Sequence, residues 1–179
     1  MHIFKHFITI TRHRHKVMKY CFRCGLVWQG LTHDLSKYGF TEFWNGAKYY
    51  LGNKSPHYKE RETKGYSDAW MHHKGRNKHH TEYWLDVNQA IHKYEPVKMP
   101  DRYLAENLCD RIAASENYNR GHFERHMVLD YFNHESNSLI IHEETRAKLK
   151  ELIEMYVEKG EKETFKYIKK NFRSKKATY

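Results

Sequence analysis

The sequence predicts an all-α protein, and three observations carry that prediction. Its 179 residues include only three prolines and nine glycines, few breakers for a chain rich in turns. Apolar residues recur three or four positions apart in most segments between those breakers, the signature of helices with one buried face. No segment shows the apolar–polar alternation of a half-buried strand, and there is no internal repeat or linker. A single domain over 1–179 is large enough to bury a core without disulfides.

The first helix is predicted to begin between Ile8 and Thr11 and to end near Trp28, before Gly30. At ~100° per residue, His13, Val17, Cys21, Cys24 and Trp28 share one inward stripe. His15 falls about 200° from His13, on the basic side. Cys21 and Cys24 form a C-x-x-C with no second pair and no thioredoxin-like context, so they read as core packing. Thr32 is expected to cap the next helix, with Asp34 complementing its dipole and Lys37 one turn beyond His33. Phe43, Trp44, Ala47 and Tyr50 form a further core stripe. The polar, aperiodic stretch from Gly52 to Ser67 reads as a long surface loop, of a length often used as a lid.

Between Trp70 and Trp84 runs W-M-H-H-K-G-R-N-K-H-H-T-E-Y-W. On a helix, His73, Asn77 and His80 share a face, while His72, Arg76 and His79 form a second stripe about 100° round. A helix continuous through Gly75 would make His80 the partner of His73. A break there would favour His79. Tyr83, Trp84, Val87, Ile91 and Tyr94 continue a helical face, and Glu95 to Pro100 is a break. Pro100 opens a helix through Ala114, with Glu106 and Asp110 one turn apart. Carboxylates in an apolar helix are costly unless paired or bound to metal. Helices follow at about 121–133, 143–158 and 161–172, with Gly160 between the last two, and a basic tail at 173–179.

The formal charge of +10 favours anionic partners, a small substrate such as a nucleotide, nucleic acid (for which no motif speaks) or a membrane surface, without choosing among them. No run of 18 apolar residues exists, so nothing is expected to span a membrane and no membrane partner is expected. The N-terminal stretch lacks the apolar region and cleavage site of a signal peptide. Three cysteines suit a reducing cytoplasm.

In chain order the metal-ligand candidates are His13, His33-Asp34, His73, His79 or His80, and Asp110. Imidazole with carboxylate suits divalent iron, manganese, zinc, cobalt or nickel. The order H…HD…H…H…D, with Val17 four residues after His13 and Lys37 shortly after the His-Asp pair, resembles the HD-domain superfamily of metal-dependent phosphohydrolases over about 8–115. The strings H-D-L-S-K-Y, H-H-K-G-R-N-x-H-H and M-P…C-D-R-I-A-A look like an uncharacterised bacterial and phage family. Some of its members carry a catalase label, although no haem-binding pattern accompanies the histidines here.

The resemblance implies an HD-like helical bundle with a central site for two divalent transition ions. His13, His33, Asp34 and Asp110 would hold one, and Asp34 would bridge to a second held by His73 with His79 or His80. It further implies a phosphohydrolase or phosphodiesterase acting on a nucleotide or other phosphoester. Asp34 would then be catalytic, with Lys37 or Arg76 neutralising charge on phosphorus and Asn77 and Glu106 facing substrate. Two other outcomes fit the same ligands: an HD-type di-iron oxygenase that cleaves a C–C or C–P bond, and a non-enzymatic basic binding protein with a structural metal.

Overall fold

A computed structural model describes residues 1–172, which form eight helices and one short hairpin. Helix α1 (Ile3–Arg23) starts earlier than predicted and stops where Gly25 turns the chain at φ 76°. A separate short helix, α2 (Val27–Thr32), follows. Trp28 therefore leaves the inward stripe and is 74% exposed. Gly30 sits inside α2 instead of ending a helix, because a Cβ there would stand 3.0 Å from Cys21 of α1. Thr32 closes α2, its hydroxyl donating to the Trp28 carbonyl, and caps nothing.

After a 3₁₀ turn at Leu35–Tyr38, α3 (Phe40–Lys48) turns Glu42, Gly46 and Ala47 inward and leaves Trp44 at the surface. The predicted loop at 52–67 contains α4 (Pro56–Lys64), started by Pro56 and stopped by Gly65 at φ 82°. Next, α5 (Asp68–Lys74) is capped by Ser67 Oγ, which accepts from the Trp70 N–H, and ends at Gly75. The histidine cluster is thus split between a helix and the turn after it. A second 3₁₀ turn covers Thr81–Tyr83.

Where a helical face was predicted, the chain forms an antiparallel hairpin, β1 (Leu85–Asn88) with β2 (Lys93–Pro96), in the register Leu85↔Pro96 to Asn88↔Lys93. Val87 faces Tyr94 across it, and both are exposed together with Ile91. Helix α6 (Asp101–Tyr118) starts after Pro100 as predicted and runs one turn beyond Ala114. Helix α7 (His126–Glu135) begins later than predicted, after Gly121 at φ 81°. Helix α8 (Glu143–Asn171) is broken at Gly160, whose φ of 77° and ψ of 177° divide it where two helices were expected. The predicted basic tail at 173–179 lies outside the described residues.

Helix α6 occupies the centre, packed by α1, α8 and α7. One side of it buries Leu104, Leu108 and Ile112 against Leu149, Leu152, Ile153 and Tyr156 of α8. Each such aliphatic side chain contributes about 1.5–3 kcal/mol. Cys21 and Cys24 are free buried thiols in this core, as their packing role predicted, and Cys109 joins them there. Glu116 of α6 accepts hydrogen bonds from Lys16 (2.7 Å) and Tyr20 (2.6 Å) of α1. Those bonds fix the register that sets His13 opposite Asp110.

The junction of α1 and α3 has no room to spare. A Cβ at Gly46 would stand 2.3 Å from Nε2 of the buried His6. Gly46→Ala should therefore cost about 1–3 kcal/mol, lowering Tm by roughly 2–4 °C per kcal/mol in a thermal melt. An unchanged Tm would mean that His6 moves aside freely.

Candidate metal centre

Four helices and two turns bring every metal-ligand candidate to one place. His13 projects from the inner face of α1, His33 caps the C-terminus of α2, and Asp34 follows it. Asp34 lies in the left-handed region at φ 54°, ψ 24°. A non-glycine residue there is uncommon and costs ~1–3 kcal/mol. The conformation removes the angular problem of adjacent ligands on a helix, because His33 and Asp34 belong to no common helix and point at the same centre. His73 comes from the end of α5, His79 and His80 from the turn beyond Gly75, and Asp110 from α6.

Two groups of ligand atoms share Asp34, each with its atoms within 4.8 Å of one another. In the first, Asp34 Oδ2 lies 3.7 Å from His13 Nε2 and 3.3 Å from His33 Nε2. Asp110 Oδ1 lies 2.9 and 3.6 Å from the same two nitrogens. In the second, Asp34 Oδ1 lies 3.3 Å from His73 Nε2 and 3.5 Å from His79 Nε2, and His80 Nε2 stands 2.9 Å from His73 Nε2. With α5 ending at Gly75, His79 is the more deeply buried of the adjacent pair, yet both belong to this group.

The donors fit a metal. Nε2 of His13, His33 and His79 and both Asp34 oxygens are buried without a hydrogen-bond partner among the described residues. Each such orphan costs about 1–3 kcal/mol, so five aimed at one centre call for a common partner. Asp110 Oδ1 comes near His13 Nε2, and Lys37 Nζ stands 2.5 Å from Asp34 Oδ2, but neither approach meets hydrogen-bond geometry. Lys37 alone leaves four of the five unanswered.

A second layer of carboxylates holds the imidazoles. Glu106 Oε1 lies 2.9 Å from His33 Nδ1 and 3.2 Å from His79 Nδ1. Glu42 lies 2.7 Å from His73 Nδ1 and 2.6 Å from His72 Nδ1. A carboxylate at Nδ1 fixes the proton there and leaves the Nε2 lone pair facing the centre. Glu106, expected to face substrate, instead braces His33 and His79 and is not among the residues lining the cavity; its place one turn before Asp110 was a usable signal. Glu42 was missed, because a lone acid in an aromatic stretch gives little sign of burial. Asn77 donates to Ser36 Oγ and to the His73 carbonyl and so braces the turn away from the cavity. Arg76 is exposed, bonds the His72 carbonyl and does not line the cavity.

Burial lowers the pKa of His13 and His73 and takes that of His80 well below the usual value. All three are thereby kept in the neutral form that can bind metal. Burial opposes ionisation of Asp34, but His33 and Lys37 outweigh it and hold the carboxyl well below its usual range. For Asp110, burial is likewise outweighed, here by contacts from His13 and His33. Lys37 is pushed up, since Asp34 more than offsets the loss of solvent.

A cavity of about 700 Å³ opens onto this centre, with His13, Lys37, His80 and Asp110 among its lining. The segment read as a loop reaches it as α4 and the turn before α4, supplying Lys54, His57, Tyr58 and Arg61. Lys54 and Arg61 have no acidic partner within 4 Å among the described residues. The pKa of His57 is pushed down to about 3 by burial, so the ring is neutral near pH 7. Tyr58 of α4 and Tyr131 of α7 meet across the cavity with hydroxyls 3.5 Å apart.

Fold and site together define a mostly helical protein with a buried histidine–carboxylate centre beneath a cavity lined by both cations and acids. The chain belongs to a family of unknown function, DUF5662, whose model matches residues 2–155 and so includes every residue of the centre. No curated protein and no solved structure matches the chain.

Glu106→Gln should weaken divalent-metal affinity about 10–100-fold while the fold is kept, as read by titration calorimetry beside circular dichroism. Asp34→Ala should abolish uptake, and His15→Ala should leave it unchanged. Wild-type affinity in Glu106→Gln would remove Glu106 from the ligand-orienting layer.

Proposed function

We propose that the protein is a metal-dependent phosphoester hydrolase whose centre holds two divalent transition ions. The observation that carries this reading is the position of Asp34: one oxygen faces each ligand group, among buried donors with no other partner. His13, His33, Asp34 and Asp110 would hold one ion, and Asp34, His73, His79 and His80 the other. The order of these ligands along a mostly helical chain supports an HD-type bundle.

Bound there, two such ions polarise a phosphoryl oxygen and supply a hydroxide nucleophile near neutral pH. The chain's own residues would do the rest. Lys54 and Arg61, without carboxylate partners nearby, draw an anion into the cavity. Trp70 and Tyr58 give the wall flat apolar surface suited to a base or another ring. At the floor, the Lys37 ammonium neutralises charge that develops on phosphoryl oxygens. Arg76, expected to share that role, lies outside the cavity. These cations favour phosphoester hydrolysis over the oxygenase that the same ligands would serve.

The test is hydrolysis of bis-p-nitrophenyl phosphate and a nucleotide panel by metal-stripped protein reloaded with manganese, zinc, cobalt, nickel or iron. Metal-dependent turnover is expected. Lys37→Ala should lower kcat about 100–1000-fold, the scale of losing one charge-stabilising donor, while keeping its metal. Activity that needs iron and oxygen together would instead identify an oxygenase. No turnover with any metal would leave a binding protein.

A further inference from the structure

The outer face of α1 and α2 has no role in the centre and is unusual in two ways. It is apolar: Phe4 is 83% exposed, Ile8 53% and Trp28 74%, with Phe7, Val27 and Leu31 also exposed. It is also one-signed, since residues 1–33 carry Lys5, Arg12, Arg14, Lys16, Lys19 and Arg23 and no Asp or Glu at all. Helical geometry arranges the two properties side by side. Phe7, Thr11, Phe4, His15 and Ile8 span about 100° of α1, and Lys19, Arg12 and Lys5 border that strip on the Ile8 side. None of these three cations has an ion-pair partner among the described residues, whereas Lys16 and Arg23 are paired with Glu116 and Glu161. Helix α2 adjoins the same helix, tied by Arg14 to the carbonyls of Leu31 and His33.

We propose that this face docks on an anionic phospholipid surface. Aromatic and aliphatic side chains bordered by lysine and arginine are the composition of interfacial helices, which bury the former among acyl chains and set the latter at the headgroups. A second copy of the chain is disfavoured as occupant, because a two-fold contact would set unpaired cations against their own equivalents. Nucleic acid would meet the cations but give nothing to Ile8, Val27 and Leu31. Phe4 and His13 lie about 180° apart on α1. Docking would therefore leave the centre on the side away from lipid. No described helix is long and apolar enough to cross a membrane, so this docking departs from the expectation of no membrane partner at the lipid surface alone.

Flotation of the full-length protein with vesicles tests this. Vesicles of phosphatidylcholine with phosphatidylserine should carry the protein, in a salt-sensitive way, and vesicles of phosphatidylcholine alone should not. Combining Lys5→Gln, Arg12→Gln and Lys19→Gln should weaken binding on the order of 100-fold. Combining Phe4→Ser, Ile8→Ser and Trp28→Ser should weaken it at least about 10-fold, with helix content and metal uptake unchanged. The proposal is overturned by no binding to anionic vesicles or by equal binding of the serine variant. It is equally overturned by a dimer that the serine variant dissociates, or by preference for an RNA oligonucleotide over vesicles.

Discussion

The burial of the Asp34 carboxylate is the constraint on which the rest depends. A carboxylate taken out of water costs several kcal/mol unless opposite charge and hydrogen bonds replace the solvent. Asp34 is 1% exposed, lies in a strained backbone conformation, and has no hydrogen-bond partner on either oxygen among the described residues. Lys37 supplies one compensating charge. What else faces the carboxylate is a shell of imidazoles delivered by α1, the end of α2, α5 and the turn beyond it. The contact of α1 with α6, the break at Gly75 and the turn at His33 are each arranged around that group.

Charge balance points the same way. Asp34, Asp110, Glu106 and Glu42 gather four carboxylates around Lys37 and His33, whose pKa Asp34 and its neighbours raise well above the usual value against burial, while burial favours neutral imidazole at His13, His73 and His80. Such an assembly is short of positive charge. The glutamates hold Nδ1 of His33, His73 and His79, so the Nε2 atoms of these rings converge on the centre. The apolar packing of α6 on α8 is what allows the other side of α6 to carry this polar cluster.

The convergence of the candidate residues was legible because the chemistry is local: histidine and aspartate are few enough to be followed along the chain, and His13, His33-Asp34 and Asp110 do come together. The helical class was legible from periodicity. The errors fell where local signals conflicted. Val87, Ile91 and Tyr94 have helical spacing, yet they form an exposed hairpin whose stability comes from cross-strand pairing and not from burial. Pro56 and Gly65 are good start and stop signals for α4, but its sparse apolar residues hid the helix between them. The positions of Arg76, Asn77 and Glu42 depend on where the chain turns at Gly75 and on how α3 meets α5. No spacing within one segment encodes either.

The central claim is that Asp34 joins two metal positions. It is tested most directly by elemental analysis of the purified chain, stripped and then reloaded, counting transition-metal ions per molecule. The account predicts a count close to two, falling to none in Asp34→Ala. A wild-type count of one would reduce the His73–His79–His80 group to a supporting role, and a count of zero would contradict the account outright.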